Sequence, residues 1–267
     1  MDTQLLIICG LTFIIHLVGT LAYSVRIAGV RTRRIAVSFA LFNILILVSR
    51  TSNSFQEPFL AKRVESNLGP GNSHNLLTDF RWFLLSATFG TLVGAFLTPT
   101  FQRLFSKAVA SFQTHRSMPR LLLYAFSRGG LTHIRDSVSL PAASHVTSLH
   151  LGRAISPQIV ALNVVAVSLW TVGVFAALYV GYLNPHYRVT ACTLSSIVNG
   201  VATILMFVLI DPQLSVMTDD VVDGKMSEPA FRRAIVWLVG SRCAGTLLAQ
   251  VLLVPSAVLI VYVAERL

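Results

Sequence analysis

Arginine and amide side chains lie within stretches of this sequence that are otherwise apolar, and they are the residues best suited to chemistry. Asn43, Arg50 and Glu57 recur every seven residues, so a helix places them on one face. A guanidinium holds phosphate or pyrophosphate through paired charge-assisted hydrogen bonds, and an amide such as that of Asn53 offers further bonds to a headgroup. The spacing predicts an anion-binding wall beside a water-filled cavity. The alternative is a helix that ends near Val48, which would leave Arg50 in the headgroup zone.

Two further polar positions interrupt the apolar runs. His16 shares a helical face with Thr20 and Tyr23. A lone histidine in a span is more often a hydrogen-bonded structural residue than a titrating one, so both roles stay open. Arg242 lies in the last apolar run, and Gln250 continues roughly the same face. Arg242 either extends towards the inner membrane boundary or lies beside a cavity that opens to the cytoplasm.

Several kinds of chemistry lack their usual residues. No Asp or Glu lies at the centre of a clear apolar run, although a cation transporter or proton pump usually needs one there. There is no Walker sequence, no paired-histidine metal motif and no convincing nucleophile constellation. The three cysteines have no metal-ligand spacing and are interpreted as small buried hydrophobes. We therefore predict no cofactor, no metal and no enzyme activity.

The composition indicates that these polar residues lie within a lipid bilayer. Of 267 residues, 54% are hydrophobic and only 12% are charged, and mean hydropathy is +0.70. A bilayer core about 30 Å thick requires about 20 residues of helix. We expect an all-α polytopic membrane protein with one transmembrane domain over residues 1–267 and six helices. The expected spans cover about 4–24, 35–56, 81–99, 157–183, 189–210 and 234–263.

The distribution of basic residues predicts the orientation. Alternate connecting segments hold 14 Lys and Arg on one side of the membrane and 6 on the other, so the positive-inside rule places both termini outside. The same rule accounts for the net charge of +10, together with attraction to anionic membrane lipids, and no nucleic-acid partner is expected. Residues 101–156 are basic with scattered apolar positions, which favours amphipathic interfacial helices in the cytoplasmic segment. An ordinary cytosolic linker is the alternative.

Small and amide residues predict where the helices touch. Ser86, Gly90 and Gly94 follow one another at four-residue intervals in the third span, a spacing that lets helix backbones approach closely. Asn163 is isolated in the fourth span, where an interhelical hydrogen bond is the expected role. Pro157 is placed to open that helix at its first position.

One stretch of the chain, residues 13–60, carries a resemblance to a known family. It contains LAYSVRIAGVRTRRIAV (21–37), LFN (41–43), LVSRTSN (47–53) and Pro58. With these residues the chain resembles the Amj family, the bacterial "alternate to MurJ" lipid II flippases, and its length, six-span layout and basic central segment are also similar. The resemblance implies a multi-pass protein of the bacterial plasma membrane. Such a protein moves lipid II, the undecaprenyl-pyrophosphate-linked peptidoglycan precursor, from the inner to the outer leaflet for cell-wall synthesis.

The resemblance implies no particular functional residues, so the expected roles follow from where the charged and amide side chains lie in the sequence. Arg26 and Arg31 would attract the pyrophosphate at the inner end of the first span, and Arg50 with Arg242 would hold it within a hydrated groove. The remaining candidates for headgroup contact are His16, Asn43, Asn53 and Gln250.

Two alternatives stay open at this point, and so does the oligomeric state. One is a membrane phosphatase acting on undecaprenyl pyrophosphate. Residues 49–52 only weakly match the loop that such an enzyme needs, without a preceding Pro-Gly or an acidic pair. The other is a scaffold for cell-wall enzymes that transports nothing.

Overall fold

The computed structural model describes residues 2–68, 75–115, 136–139 and 155–267, and this part of the chain is helical with no strand. Its helices are α1 (Thr3–Thr32), α2 (Ile35–Ser66), α3 (Leu76–His115), α4 (Pro157–Leu183), a 3-10 turn (Pro185–Tyr187), α5 (Arg188–Ile204), a π-helical segment (Leu205–Ile210), α6 (Asp211–Val222) and α7 (Glu228–Ala264).

Six of the described helical runs are long and apolar enough to cross a membrane, which confirms the predicted all-α class and the number of spans. The fifth of these runs is compound, since the 3-10 turn, α5, the π-helical segment and α6 follow one another without a break from Pro185 to Val222. The sequence prediction ended this span at residue 210. The structure extends the helix through the acidic segment that follows.

Short polar signals fix where the helices begin. At the start of α1 the Asp2 side chain accepts a hydrogen bond from the backbone N–H of Gln4. At the start of α7 the Ser227 side chain accepts one from the backbone N–H of Ala230. Ser156 caps α4 and Pro157 occupies its first turn, as predicted. α1 ends at Thr32 and is capped by Arg33, whose left-handed backbone (φ 53°) turns the chain sharply into α2.

The row of small residues on α3 brings it against α1. A Cβ added at Gly90 would lie 2.5 Å from the backbone oxygen of Phe13, and one added at Gly94 would lie 2.7 Å from Thr20. The Ser86 hydroxyl donates to the carbonyl of Cys9 at 2.6 Å. The predicted close contact is therefore confirmed, and α1 and α3 form a tightly packed pair.

Two apolar clusters close the ends of the bundle. One contains Leu5 at the start of α1 and Ala264 at the end of α7, so both chain termini lie at the same end, here called the terminal end. The other contains Val30, Leu214 and Phe231 and lies at the opposite end, here called the basic end because Arg31, Arg33 and Arg34 are near it. The membrane leaflet that each end faces stays a prediction.

The segment predicted to lie in the interface is only partly described. Residues 101–115 continue α3 as one helix rather than beginning a separate interfacial one. Residues 116–135 and 140–154 lie outside the described residues, so the prediction of interfacial helices there stays untested.

Candidate functional site

A cavity of about 490 Å³ lies between the two apolar clusters. It is bordered by α1, α2, α4, the compound fifth span and α7. The residues that line it are Ile15, Gly19, Ala22, Tyr23, Arg26, Phe42, Asn43, Ile46, Leu47, Ser49, Arg50, Asn163, Trp170, Met206, Phe207, Ile210, Asp211 and Arg242. Three arginines and one aspartate make this wall cationic. The volume falls within the range of small-ligand sites.

Arg26 lies on the cavity wall towards the basic end. Its Nη2 donates to Asp211 Oδ1 at 2.7 Å, and its guanidinium lies 5.5 and 5.3 Å from the ring centroids of Phe39 and Phe42. The residue is only 6% exposed, yet its Nη1 has no hydrogen-bond partner. Arg26 is thus held by two aromatic rings and one carboxylate, and its Nη1 is a buried donor that no group in the described part of the chain satisfies.

Arg242 of α7 reaches across the bundle to α1. Its guanidinium lies so close to Gly19 that a Cβ there would be 2.4 Å from Nη2, and the Tyr23 side chain is its neighbour. The residue is buried and its Nε has no hydrogen-bond partner. An unpaired guanidinium is costly in a dry membrane interior, so this position favours water or an anion in the cavity. Arg242 therefore lies beside the cavity, and the predicted opening of that cavity to the cytoplasm stays a prediction.

Arg50 reaches the cavity because α2 continues well past Val48, as predicted. Asn43 lies two turns earlier on the same face, and both side chains line the cavity as exposed residues. Beside Arg50, the Ser49 hydroxyl donates to the Ile15 carbonyl of α1 at 3.4 Å. Among the described residues, neither Arg50 nor Arg242 forms an ion pair, so both charges are available to a ligand.

The three arginines lie at different depths along α1. Arg26 belongs to α1 itself, Arg242 packs at Gly19, and Arg50 follows the residue bonded to Ile15. A rise of about 1.5 Å per residue separates these levels by about 10 and about 6 Å. Measured along α1, these levels are spread over about 16 Å, which is about half the thickness of a hydrocarbon core of about 30 Å.

Four of the predicted site residues are not brought to the cavity. Arg31 pairs with Glu228 at 3.1 Å at the basic end, and His16 is buried among helices with no hydrogen-bond partner on Nδ1. Asn53 donates to Glu57 one turn away on α2, at 2.9 Å. Gln250 faces α3, because its amide donates to the Arg81 carbonyl at 3.0 Å. The eight-residue spacing from Arg242 left Gln250 on a neighbouring face of α7.

Sequence reasoning missed Asp211 and Trp170 as cavity residues. Asp211 follows an apolar run directly, which looked like a span end, whereas the helix continues through it. Asn163 donates to Ser241 at 2.7 Å and to the Leu238 carbonyl at 3.1 Å, which confirms its predicted interhelical bonding, and it also borders the cavity. In the described part of the chain, no group of three or more His, Cys, Asp or Glu could hold a metal ion.

The chain is similar to known proteins over most of its length. The model of the family described as "Amj: Alternate to MurJ" matches residues 11–264. The protein named "Lipid II flippase Amj" from Bacillus subtilis (strain 168) is 36% identical over 264 residues, covering 98% of this chain and 97% of the relative. No solved structure matches. A family match of this extent, together with a relative this similar over nearly its full length, shows that the chain belongs to the Amj family.

Proposed function

We propose that this protein is a lipid II flippase of the bacterial plasma membrane. It moves the undecaprenyl-pyrophosphate-linked peptidoglycan precursor from the inner to the outer leaflet and supplies cell-wall synthesis. The similarity to a relative named as a lipid II flippase supports this assignment, as do the six apolar helices. The geometric observation that carries the proposal is a cavity at membrane depth with guanidinium groups at three levels.

The pyrophosphate of the substrate is the group that these arginines fit. Pyrophosphate presents several anionic oxygens, and a guanidinium binds two of them at once. Arg26 receives the headgroup from the basic end, and Arg242 and Arg50 take it over at successive depths. Asn43 offers hydrogen bonds to the sugar or peptide. The apolar tail stays in the bilayer, where the hydrocarbon is already removed from water and gains nothing by leaving.

A membrane potential would assist this direction of movement. If the basic end faces the cytoplasm, the headgroup carries negative charge outward along an inside-negative potential, which contributes about 2.3 kcal/mol per charge per 100 mV. Transport in proteoliposomes should then slow when the potential is collapsed. An unchanged rate would exclude the potential as the driving force.

The decisive experiment replaces Arg50 in cells that lack every other lipid II flippase. Arg50→Ala removes an unpaired charge from the cavity wall, so transport of labelled lipid II and growth should fail, and Arg50→Lys should restore them in part. Lys62→Ala is the matched control, since it removes a cation from an exposed position of the same helix outside the cavity. Normal growth with Arg50→Ala at equal protein level would remove Arg50 from the mechanism.

A phosphate-release assay on the purified protein tests the enzyme alternative. A phosphatase would release phosphate from undecaprenyl pyrophosphate, whereas a flippase leaves the substrate intact. Ser49 is held within α2 and bonded to the Ile15 carbonyl, an arrangement that does not provide a phosphate-binding loop. Phosphate release that depends on Arg50 would favour the enzyme over the transporter. A scaffold would tolerate Arg50→Ala altogether.

A further inference from the structure

Asp211 is the only acidic side chain among the described residues that line the cavity. Its Oδ1 accepts a hydrogen bond from Nη2 of Arg26 at 2.7 Å. The arginine is nearly buried, whereas the aspartate side chain is 31% exposed. Among the described residues of this wall, the single carboxylate is therefore paired with Arg26, the cavity arginine nearest to the basic end.

A carboxylate and a phosphate compete for the same edge of a guanidinium. Both present anionic oxygens about 2.7–2.9 Å from its N–H groups. While Asp211 holds Nη2, the other terminal nitrogen, Nη1, is buried without a hydrogen-bond partner, so a phosphate in the cavity has no free edge of this guanidinium to bind. Binding through both terminal nitrogens requires the carboxylate to move away.

Two local features interrupt the regular helix beside Asp211. A π-helical segment, Leu205–Ile210, directly precedes it, and such segments are rare and frequent at functional sites. Pro212 follows and has no N–H to offer the preceding turn. Within 211–222, only Leu214 and Thr218 are buried. α6 therefore packs on the apolar cluster at the basic end along one side only, through Leu214, Met217 and Val221, and its ion pair with Arg26 supplies a specific attachment to α1.

We propose that Asp211 is a displaceable occupant of the substrate site. Its carboxylate holds Arg26 until a pyrophosphate-bearing lipid replaces it, and the released α6 then swings about the π-helical segment and Pro212. This inference rests on the proposed function for its substrate class. It assigns a gating role to a residue that would otherwise be interpreted as one half of a structural ion pair.

Binding of geranylgeranyl pyrophosphate to the purified full-length protein in detergent tests the proposal. Asp211→Asn keeps the shape of the side chain and removes its charge, so the lipid should bind about tenfold more tightly, equivalent to about 1.4 kcal/mol. In an Arg26→Ala background the same change should give no gain, because the competing pair is already absent. Asp219→Asn is the matched control, as it removes one negative charge from an exposed position of the same helix. Unchanged or weaker binding by Asp211→Asn would overturn the proposal.

A second measurement keeps the test independent of that variant's folding. Spin labels at the exposed positions Val216 and Ala110, in a wild-type cavity with the three native cysteines replaced, report on α6 relative to α3. Geranylgeranyl pyrophosphate should change their distance distribution, and an unchanged distribution would contradict displacement.

Transport separates the failure of this inference from failure of the proposed function. If wild-type proteoliposomes translocate lipid II while Asp211→Asn gains no affinity, only the displacement of Asp211 is refuted. If the wild type binds the probe but translocates no lipid II, the proposed function fails.

Discussion

Gly19 offers a way to move Arg242 without removing it. A Cβ at this position would lie 2.4 Å from Nη2 and 3.1 Å from Cζ of Arg242. Gly19→Ala therefore forces the guanidinium away by about 1 Å, which a flexible side chain accommodates without disturbing the helix backbone. The arginine keeps its charge and its place in the sequence, but its donors no longer point where they did.

The size of the effect follows from the bonds at stake. A hydrogen bond to a charged group contributes about 1.5–3 kcal/mol, and every 1.4 kcal/mol is a factor of ten in affinity. If Arg242 holds the pyrophosphate with one such bond, Gly19→Ala should weaken binding of a polyprenyl pyrophosphate by about 10- to 100-fold. Translocation of lipid II at low substrate concentration should fall with it.

Gly10 of the same helix provides the matched control. An added Cβ there meets nothing within 4 Å, so Gly10→Ala makes the same change in helix propensity without touching the cavity. Both variants should keep the thermal stability of the wild type or exceed it slightly, because alanine loses less backbone entropy than glycine. Equal binding and transport by the two variants would refute the placement of Arg242 in the substrate path.

Three further predictions concern contacts between helices outside the cavity. Gly90→Ala should lower the melting temperature by an amount that corresponds to about 1–3 kcal/mol, because the new Cβ meets helix backbone at 2.5 Å; an unchanged melting curve would contradict the close α1–α3 contact. Arg63→Ala should lower the free energy of unfolding, measured with a chemical denaturant, by about 3–5 kcal/mol. The reason is that buried Asp79 now accepts a hydrogen bond from Arg63 Nε at 2.6 Å and would lose that partner. Lys62→Ala, at the neighbouring position, should change the free energy of unfolding little. Hydrogen bonding from Arg63 lowers the pKa of Asp2 below its ordinary 3.8, so the stabilisation is complete above that value and is lost as the pH falls through the lowered pKa. Asp2→Asn should therefore be less stable than the wild type at neutral pH and should converge with it in acid, and a constant difference would refute this pairing.

The length of the apolar runs and the low charged fraction determined the all-α class and the number of spans from the sequence alone. A continuous apolar run of about 20 residues predicts a helix in lipid, because a helix satisfies every backbone group within the segment, whereas a barrel strand crosses in about 10 residues. The same reasoning extended α2 past Val48, since fourteen clean residues are too few to cross. The small-residue row at Gly90 and Gly94 predicted a close helix contact of α3, because only small side chains let backbones approach so closely, and the structure identifies α1 as the partner.

The choice among polar residues depended on tertiary packing. Arg50 and Arg242 are 192 positions apart in the sequence and line one cavity only because α2 and α7 both lie against the same part of α1. Gln250 looked equivalent to Arg242 by spacing, but the angular difference over eight residues turned it towards Arg81 of α3. Asp211 had no sequence signal for its role, since its partner Arg26 is 185 residues earlier in the chain. Local sequence determines which side chains enter the membrane, whereas the rotation and contact of whole helices determine which of them meet.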